Sequence, residues 1–177
     1  IKHLDLLTPC CGVETPVLAL AEMGIVGHSK GSYDIDPILT TLVTKIHGPT
    51  SYVHTGPELG GDITQVNFAT LEPVDAIISG PPCQPNSRNG LRKRWNDERS
   101  EPFPAVIELI GQQAQRHDSK IKFIALENVD GMSDVPGGKK TGALSPAQEV
   151  CDSLAKVLDI ELCHGDQWEV GMWRVNA

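Results

Sequence analysis

Cys83 stands in Gly80-Pro81-Pro82-Cys83-Gln84-Pro85-Asn86, where three prolines fix φ and restrict the residues before them. A thiol on so stiff a loop suits nucleophilic attack, because misplacement by about an ångström can cost about a hundredfold in rate. The apolar run Val74–Ser79 predicts a buried strand, so the cysteine falls just past a strand's carboxyl end. A second apolar run, from Ile121 to Leu126, ends in Glu127 and Asn128, a group that can share a proton beside a donor-acceptor amide. Singly, the first stretch reads as a Pro-rich turn and the second as a helix cap. Two reactive ends on two core strands form a stronger pattern, since the carboxyl ends of parallel strands face one ligand crevice.

Periodicity supplies the elements that would position these groups. Strands are predicted at His3–Leu7, His28–Asp34, Ser51–His54, Val74–Ser79, Lys122–Glu127 and Ile160–His164. Helices are predicted at Thr15–Met23, Pro37–Ile46, Pro104–Gln115 and Pro146–Leu158. Pro37, Pro104 and Pro146 suit first-turn positions, Ser145 an N-cap, and Asp36 a cap for the helix at Pro37. The alternation predicts an α/β fold, a doubly wound, Rossmann-like, mostly parallel sheet. Residues 133–143, rich in glycine, read as a mobile loop.

With Pro81-Pro82-Cys83-Gln84 and Glu127-Asn128-Val129 both in view, the chain resembles the DNA (cytosine-5)-methyltransferases over roughly residues 3 to 132. Four further segments fit in order: His3–Gly24, Tyr33–Pro37, Gly61–Thr64 and Asn96–Ile110. The resemblance implies S-adenosylmethionine (SAM) as methyl donor and methyl transfer to C5 of cytosine in DNA. It makes Cys83 the nucleophile at C6 and Glu127 the group that engages N3. Asn128, Pro82 and Gln84 complete that set. SAM would lie against Leu7, Cys10, Gly12, Asp34, Ile35, Asp62, Ile63 and Pro81, with Asp34 on the ribose and Asp62 on the adenine amine. Leu7, Pro9 and Cys11 stand where the family's pattern has a phenylalanine and two glycines, and Asn86 where it has an aromatic.

The family's late arginine finds only Arg174, with Gln167 as its neighbour in the pattern, at the wrong spacing. Its target-recognition domain and final motif have no counterpart in the 177 residues, so one catalytic domain over 1–177 is expected, with recognition supplied by a second chain. Two alternatives stay open: a SAM-binding, DNA-associated fragment that has lost turnover, and an enzyme that acts on tRNA with the same core.

Composition adds limits. No apolar run approaches the roughly 20 residues of a membrane span. Five cysteines without a CxxC or a Cys/His cluster predict neither disulfides nor a metal site, and fit a reducing compartment. That compartment is the cytoplasm or nucleoid, or a eukaryotic nucleus. Net charge is -8, unusual for a nucleic-acid partner, yet residues 81–100 hold five basic side chains against two acidic. Arg88, Arg92, Lys93, Arg94 and Arg99 therefore read as a loop that meets phosphates.

Overall fold

Five short strands pair in parallel in the computed structural model: β1 (His3–Pro9), β2 (Val26–Asp34), β3 (Val53–Thr55), β4 (Ala76–Ser79) and β5 (Phe123–Leu126). Their order is β3-β2-β1-β4-β5, so the chain reverses its winding between β1 and β4. Ligands of such sheets bind at the carboxyl ends beside that reversal. The structure describes residues 3–47, 53–55, 60–89, 93–138, 141–158 and 172. The predicted strand Ile160–His164, together with Arg92, Gln167 and Arg174, lies outside them.

Side-chain alternation along β1 sends Leu4 and Leu6 to one face, where they pack with Leu20 of α1 (Thr15–Glu22) and Ala76 of β4. Leu6, Leu7 and Ile77 are all but fully buried, each contributing about 1.5–3 kcal/mol through the apolar area removed from water. α2 is Leu39–His47, two residues later than Pro37 predicts. Asp36 explains the delay. Its Oδ1 accepts from the Ile38 N–H and its carbonyl from the Leu39 N–H, so a turn forms before the helix.

The chain packs as two compact units: Ile1–Pro81 with Gln112–Glu127, and Pro82–Gly111 with Asn128–Ala177. The first holds the sheet, α1 and α2. The second holds the loop after β4, most of α3 (Pro102–Ala114) and α4 (Pro146–Val157). α3 buries Phe103, Val106, Leu109 and Ile110, one stripe at helical spacing. α4 begins as predicted: Ser145 Oγ accepts from the Gln148 N–H at 3.2 Å, and Pro146 follows, where no intrahelical donor is needed. Among the described residues no helix is long and apolar enough to cross a membrane.

Candidate functional site

The turn after β1 is displaced from its predicted place. β1 runs on to Pro9, so Leu7 sits inside the sheet at 1% exposure, opposite Gly31 and Ile77. It supports the strand rather than the turn. The turn itself spans Cys10 to Glu14 and takes three left-handed residues: Cys10 at φ 55°, Gly12 at 55° and Glu14 at 59°. Only Gly12 adopts that conformation without a Cβ penalty. A Cβ built on Gly12 meets nothing within 4 Å, so this face of the turn is open.

Two carboxylates converge beside it. The Gly12 N–H donates to Asp34 Oδ2 at 3.0 Å, and the Asp36 N–H to Asp34 Oδ1 at 3.0 Å. Each oxygen keeps a further lone pair for a ligand donor. Ile35, next along, is 60% exposed. Asp62 caps the short 3-10 turn Ile63–Gln65, with both of its side-chain bonds on Oδ1: Thr64 N at 3.0 Å and Thr64 Oγ1 at 2.7 Å. Ile63 is buried beneath it. Burial pushes the Cys10 thiol up to about 12; the Asp34 and Asp62 carboxylates push the same way, and a hydrogen bond with Ser79 opposes them. One thiol thus feels residues from the ends of β1, β2 and β4 and from the Asp62 turn. Cys11 is 8% exposed and its thiol is likewise raised, by burial first and then by Glu14 and Asp34.

The ends of β4 and β5 are in register. Ser79 pairs with Leu126, and the Glu127 N–H donates to the Ser79 carbonyl at 2.9 Å. Ser79 Oγ in turn donates to the Pro9 carbonyl at 2.6 Å, tying β4 to the end of β1. A Cβ on Gly80 would lie 3.5 Å from Glu127 Oε2, so the Glu127 carboxylate lies alongside the start of the proline loop and is exposed there. Pro81 is buried.

Within the second unit, Cys83 is half-buried between the half-buried Pro82 and the exposed Gln84. Its carbonyl accepts from the N–H groups of Asn86 at 3.0 Å and Ser87 at 2.9 Å, which closes a tight turn around the thiol. Asn86 is 3% exposed and its Oδ1 has no partner. A Cβ built on Gly131 would fall 2.1 Å from the Asn86 carbonyl oxygen, so the turn Asp130–Ser133 packs backbone to backbone on the Cys83 loop. Asn128 Oδ1 accepts from the neighbouring Val129 N–H at 3.0 Å.

The basic loop differs from its prediction. Arg88 makes a fork to Asp134 (2.9 and 2.7 Å) and reaches Asp130 Oδ2 at 2.9 Å. Arg99 forks onto Asp97 at 2.8 and 2.7 Å, and its guanidinium holds the Asp97 carboxyl down at about 2. Arg94 is half-buried, donating from Nη2 to the Asp134 carbonyl at 3.0 Å, and its Nη1 is buried without a partner. Among the loop's described cations, Arg88 and Arg99 are thus paired with carboxylates within the chain, and Arg94 is held by a carbonyl. Glu14, Gly131 and the Asp130–Asp134 pair were not legible as site-forming residues, although Gly131 follows Glu127-Asn128-Val129-Asp130 directly.

Set against known proteins, residues 10–146 match the family profile described as C-5 cytosine-specific DNA methylase. The chain is 29% identical over 121 residues to a tRNA (cytosine(38)-C(5))-methyltransferase of Spodoptera frugiperda, covering 66% of this chain and 32% of that protein. It is 28% identical to the type II methyltransferase M.DsaV of Dactylococcopsis salina, covering 75% of this chain and 32% of the relative. The fold matches the crystal structure of a Spodoptera frugiperda DNMT2 variant with a TM-score of 0.58 at 23% identity, over 87% of this chain and 41% of that one. The chain spans about a third of the length of these curated relatives.

Proposed function

Because the chain belongs to the family of C-5 cytosine-specific DNA methylases, we propose that it is the catalytic portion of an enzyme that methylates cytosine at C5, with SAM as donor. The observation that carries this reading is the arrangement at the strand ends. Two carboxylates and an open glycine turn lie at one end of the sheet, and Glu127 lies alongside Gly80 where β4 and β5 end.

The residues present suit SAM. Asp34 and Asp62 are acceptors for ribose hydroxyls and an exocyclic amine, and their negative field favours a ligand carrying a sulfonium. Gly12 leaves room for close approach, and Ile35 offers an exposed apolar surface to the adenine. Cys10, Ile63 and Pro81 line the same ends of the sheet. When bound, SAM supplies an electrophilic methyl group to C5.

Cytosine C5 is a poor nucleophile until a thiolate adds at C6 and makes it enamine-like. Cys83, held by its Asn86 and Ser87 bonds, is the group for that attack. Glu127 shares a proton with N3 and so offsets the charge that builds on the ring as the C6–S bond forms. Asn128, Pro82 and Gln84 shape the base's surroundings, with Arg174 as a further contact. After methylation, loss of the C5 proton restores the ring double bond and breaks the C–S bond, expelling the thiolate. A duplex substrate must present the base out of its stack. Such an enzyme would act in the cytoplasm or nucleoid.

The deciding assay is transfer of labelled methyl from SAM to DNA and to tRNA, with and without a chain carrying a recognition module. Transfer to tRNA alone would move the substrate to RNA, a reading kept alive by the Spodoptera frugiperda relative. No transfer to either, with SAM binding intact, would leave a binding fragment.

Asp62 gives a sharper test of the cofactor contact. Asp62→Asn keeps the Oδ1 that caps Ile63–Gln65 but loses the second acceptor. Calorimetry should show S-adenosylhomocysteine binding weakened by about 1–3 kcal/mol, because a buried donor loses its partner. Unchanged affinity would take Asp62 out of the adenine site.

A further inference from the structure

We propose that Glu14 is a positioning residue for SAM binding: its buried carboxyl, bonded to the Thr8 hydroxyl that in turn meets Ser32, holds the Cys10–Glu14 turn in the left-handed path that presents Gly12 to the cofactor. This rests on the reading of that turn as part of the SAM site.

The turn needs a holder. Cys10 and Glu14 are non-glycine residues at φ 55° and 59°, conformations that persist only where the surroundings over-determine them. Backbone bonds supply part of the hold: Cys11 N–H to the Tyr33 carbonyl at 3.0 Å, and Glu14 N–H to the Cys11 carbonyl at 2.9 Å. The Glu14 side chain supplies the rest. It is 2% exposed, and Thr8 Oγ1, itself fully buried, donates to its Oε1 at 2.7 Å. Thr8 Oγ1 lies 2.8 Å from Ser32 Oγ, which lies 2.7 Å from Ser29 Oγ. A carboxyl at the end of the turn is thus anchored to a hydroxyl on β1 and, through it, to the hydroxyls of β2. Among the bonds of the described residues, no other side chain in the turn joins this hydroxyl network.

The protonation state of this anchor gives a signature that plain packing would not. Glu14 Oε2 is buried without a partner, so the charged form is costly there. Burial raises its pKa, and the Thr8 bond, His47 and the Ser29 hydroxyl pull the other way. The groups that face it are Cys11 in its own turn, Thr8 on β1, Ser29 and Ser32 on β2, and His47 of α2, whose Nε2 is 3.0 Å from the Val13 carbonyl; Asp34 acts on the neighbouring Cys11. An acid whose folded pKa is raised keeps its proton longer in the folded turn than in the open one. The turn is therefore most stable below the ordinary carboxylate range. It loses stability as pH climbs from there to the raised value, and is level beyond it.

The test follows the turn with and without ligand. Hydrogen exchange of the peptide covering Gly12–Thr15, corrected for intrinsic rates, and S-adenosylhomocysteine calorimetry are run from about pH 4 to about pH 8, the span in which carboxyl groups with ordinary or raised pKa values titrate. The proteins are the wild type, Glu14→Gln, Glu14→Ala and Thr8→Val. Glu14→Ala and Thr8→Val should exchange faster in this peptide and bind about tenfold more weakly, the scale of one lost hydrogen bond in a buried network. Glu14→Gln should restore both and flatten the pH slope, since it is neutral throughout. Should Glu14→Ala fail to fold, the Gln and Val variants carry the comparison. Wild-type exchange and affinity in Glu14→Ala, or a Gln variant with the wild-type pH slope, overturns the proposal. If no variant binds the ligand while exchange follows the expected pattern, the cofactor reading fails and the anchoring role stands.

Discussion

Cys83→Ala should abolish methyl transfer, by at least about a hundredfold, while S-adenosylhomocysteine affinity stays at the wild-type value. The two effects separate because the thiol is assigned to the base and the proposed cofactor contacts are Cys10, Gly12, Asp34 and Asp62. Alanine keeps the backbone bonds from Asn86 and Ser87 to the residue 83 carbonyl, so the loop is expected to hold its shape. Trapping with oligonucleotides carrying 5-fluorocytosine gives a direct readout: the C5 substituent cannot leave as a proton would, and the C6–S bond persists. The wild type should form the adduct and Cys83→Ala should not. A variant that keeps more than about a hundredth of the turnover would remove Cys83 from the nucleophile's role.

Gly131→Ala should be nearly as damaging, at a residue with no chemistry of its own. The added methyl would lie 2.1 Å from the Asn86 carbonyl oxygen, and because that neighbour is backbone it has no rotamer to swing aside. The contact must open by roughly an ångström, at a stability cost of about 1–3 kcal/mol for overpacking. Asn86 is also a donor to the Cys83 carbonyl, so the shift is passed to the nucleophile's own turn. Turnover should fall about a hundredfold on that misplacement alone. Thermal melting and the rate of 5-fluorocytosine trapping check the two parts separately. A variant that melts and traps like the wild type would show that the close packing places no constraint on the loop.

Much of the sheet was legible because β1, β4 and β5 are short apolar runs bounded by turn residues, and the parallel topology follows from their alternation with helices. The first turn was misplaced for a physical reason. A proline lacks the N–H that a central strand uses, so a strand that runs on to Pro9 is outside the ordinary pattern. In the structure it is the last strand residue, with its carbonyl taken by Ser79 Oγ. The pairing within the basic loop was not legible for a different reason. Sequence shows the five cations but not that Arg88 closes on Asp134, 46 residues away. Glu14 carried no pattern at all: a lone acid before a helix looks like any first-turn carboxylate until its burial and its bond to Thr8 are seen.

The Arg88 clamp has a kinetic consequence. A polyanion drifting toward the Cys83 loop meets Arg88 between two carboxylates and Arg99 fastened to a third, so the attraction of these two cations is largely cancelled. Long-range attraction is what lifts protein–nucleic acid encounter rates above those of neutral partners. Arg88 and Arg99 offer little of it. On the function proposed above, a recognition module would then contribute to the rate of encounter as well as to the reading of sequence.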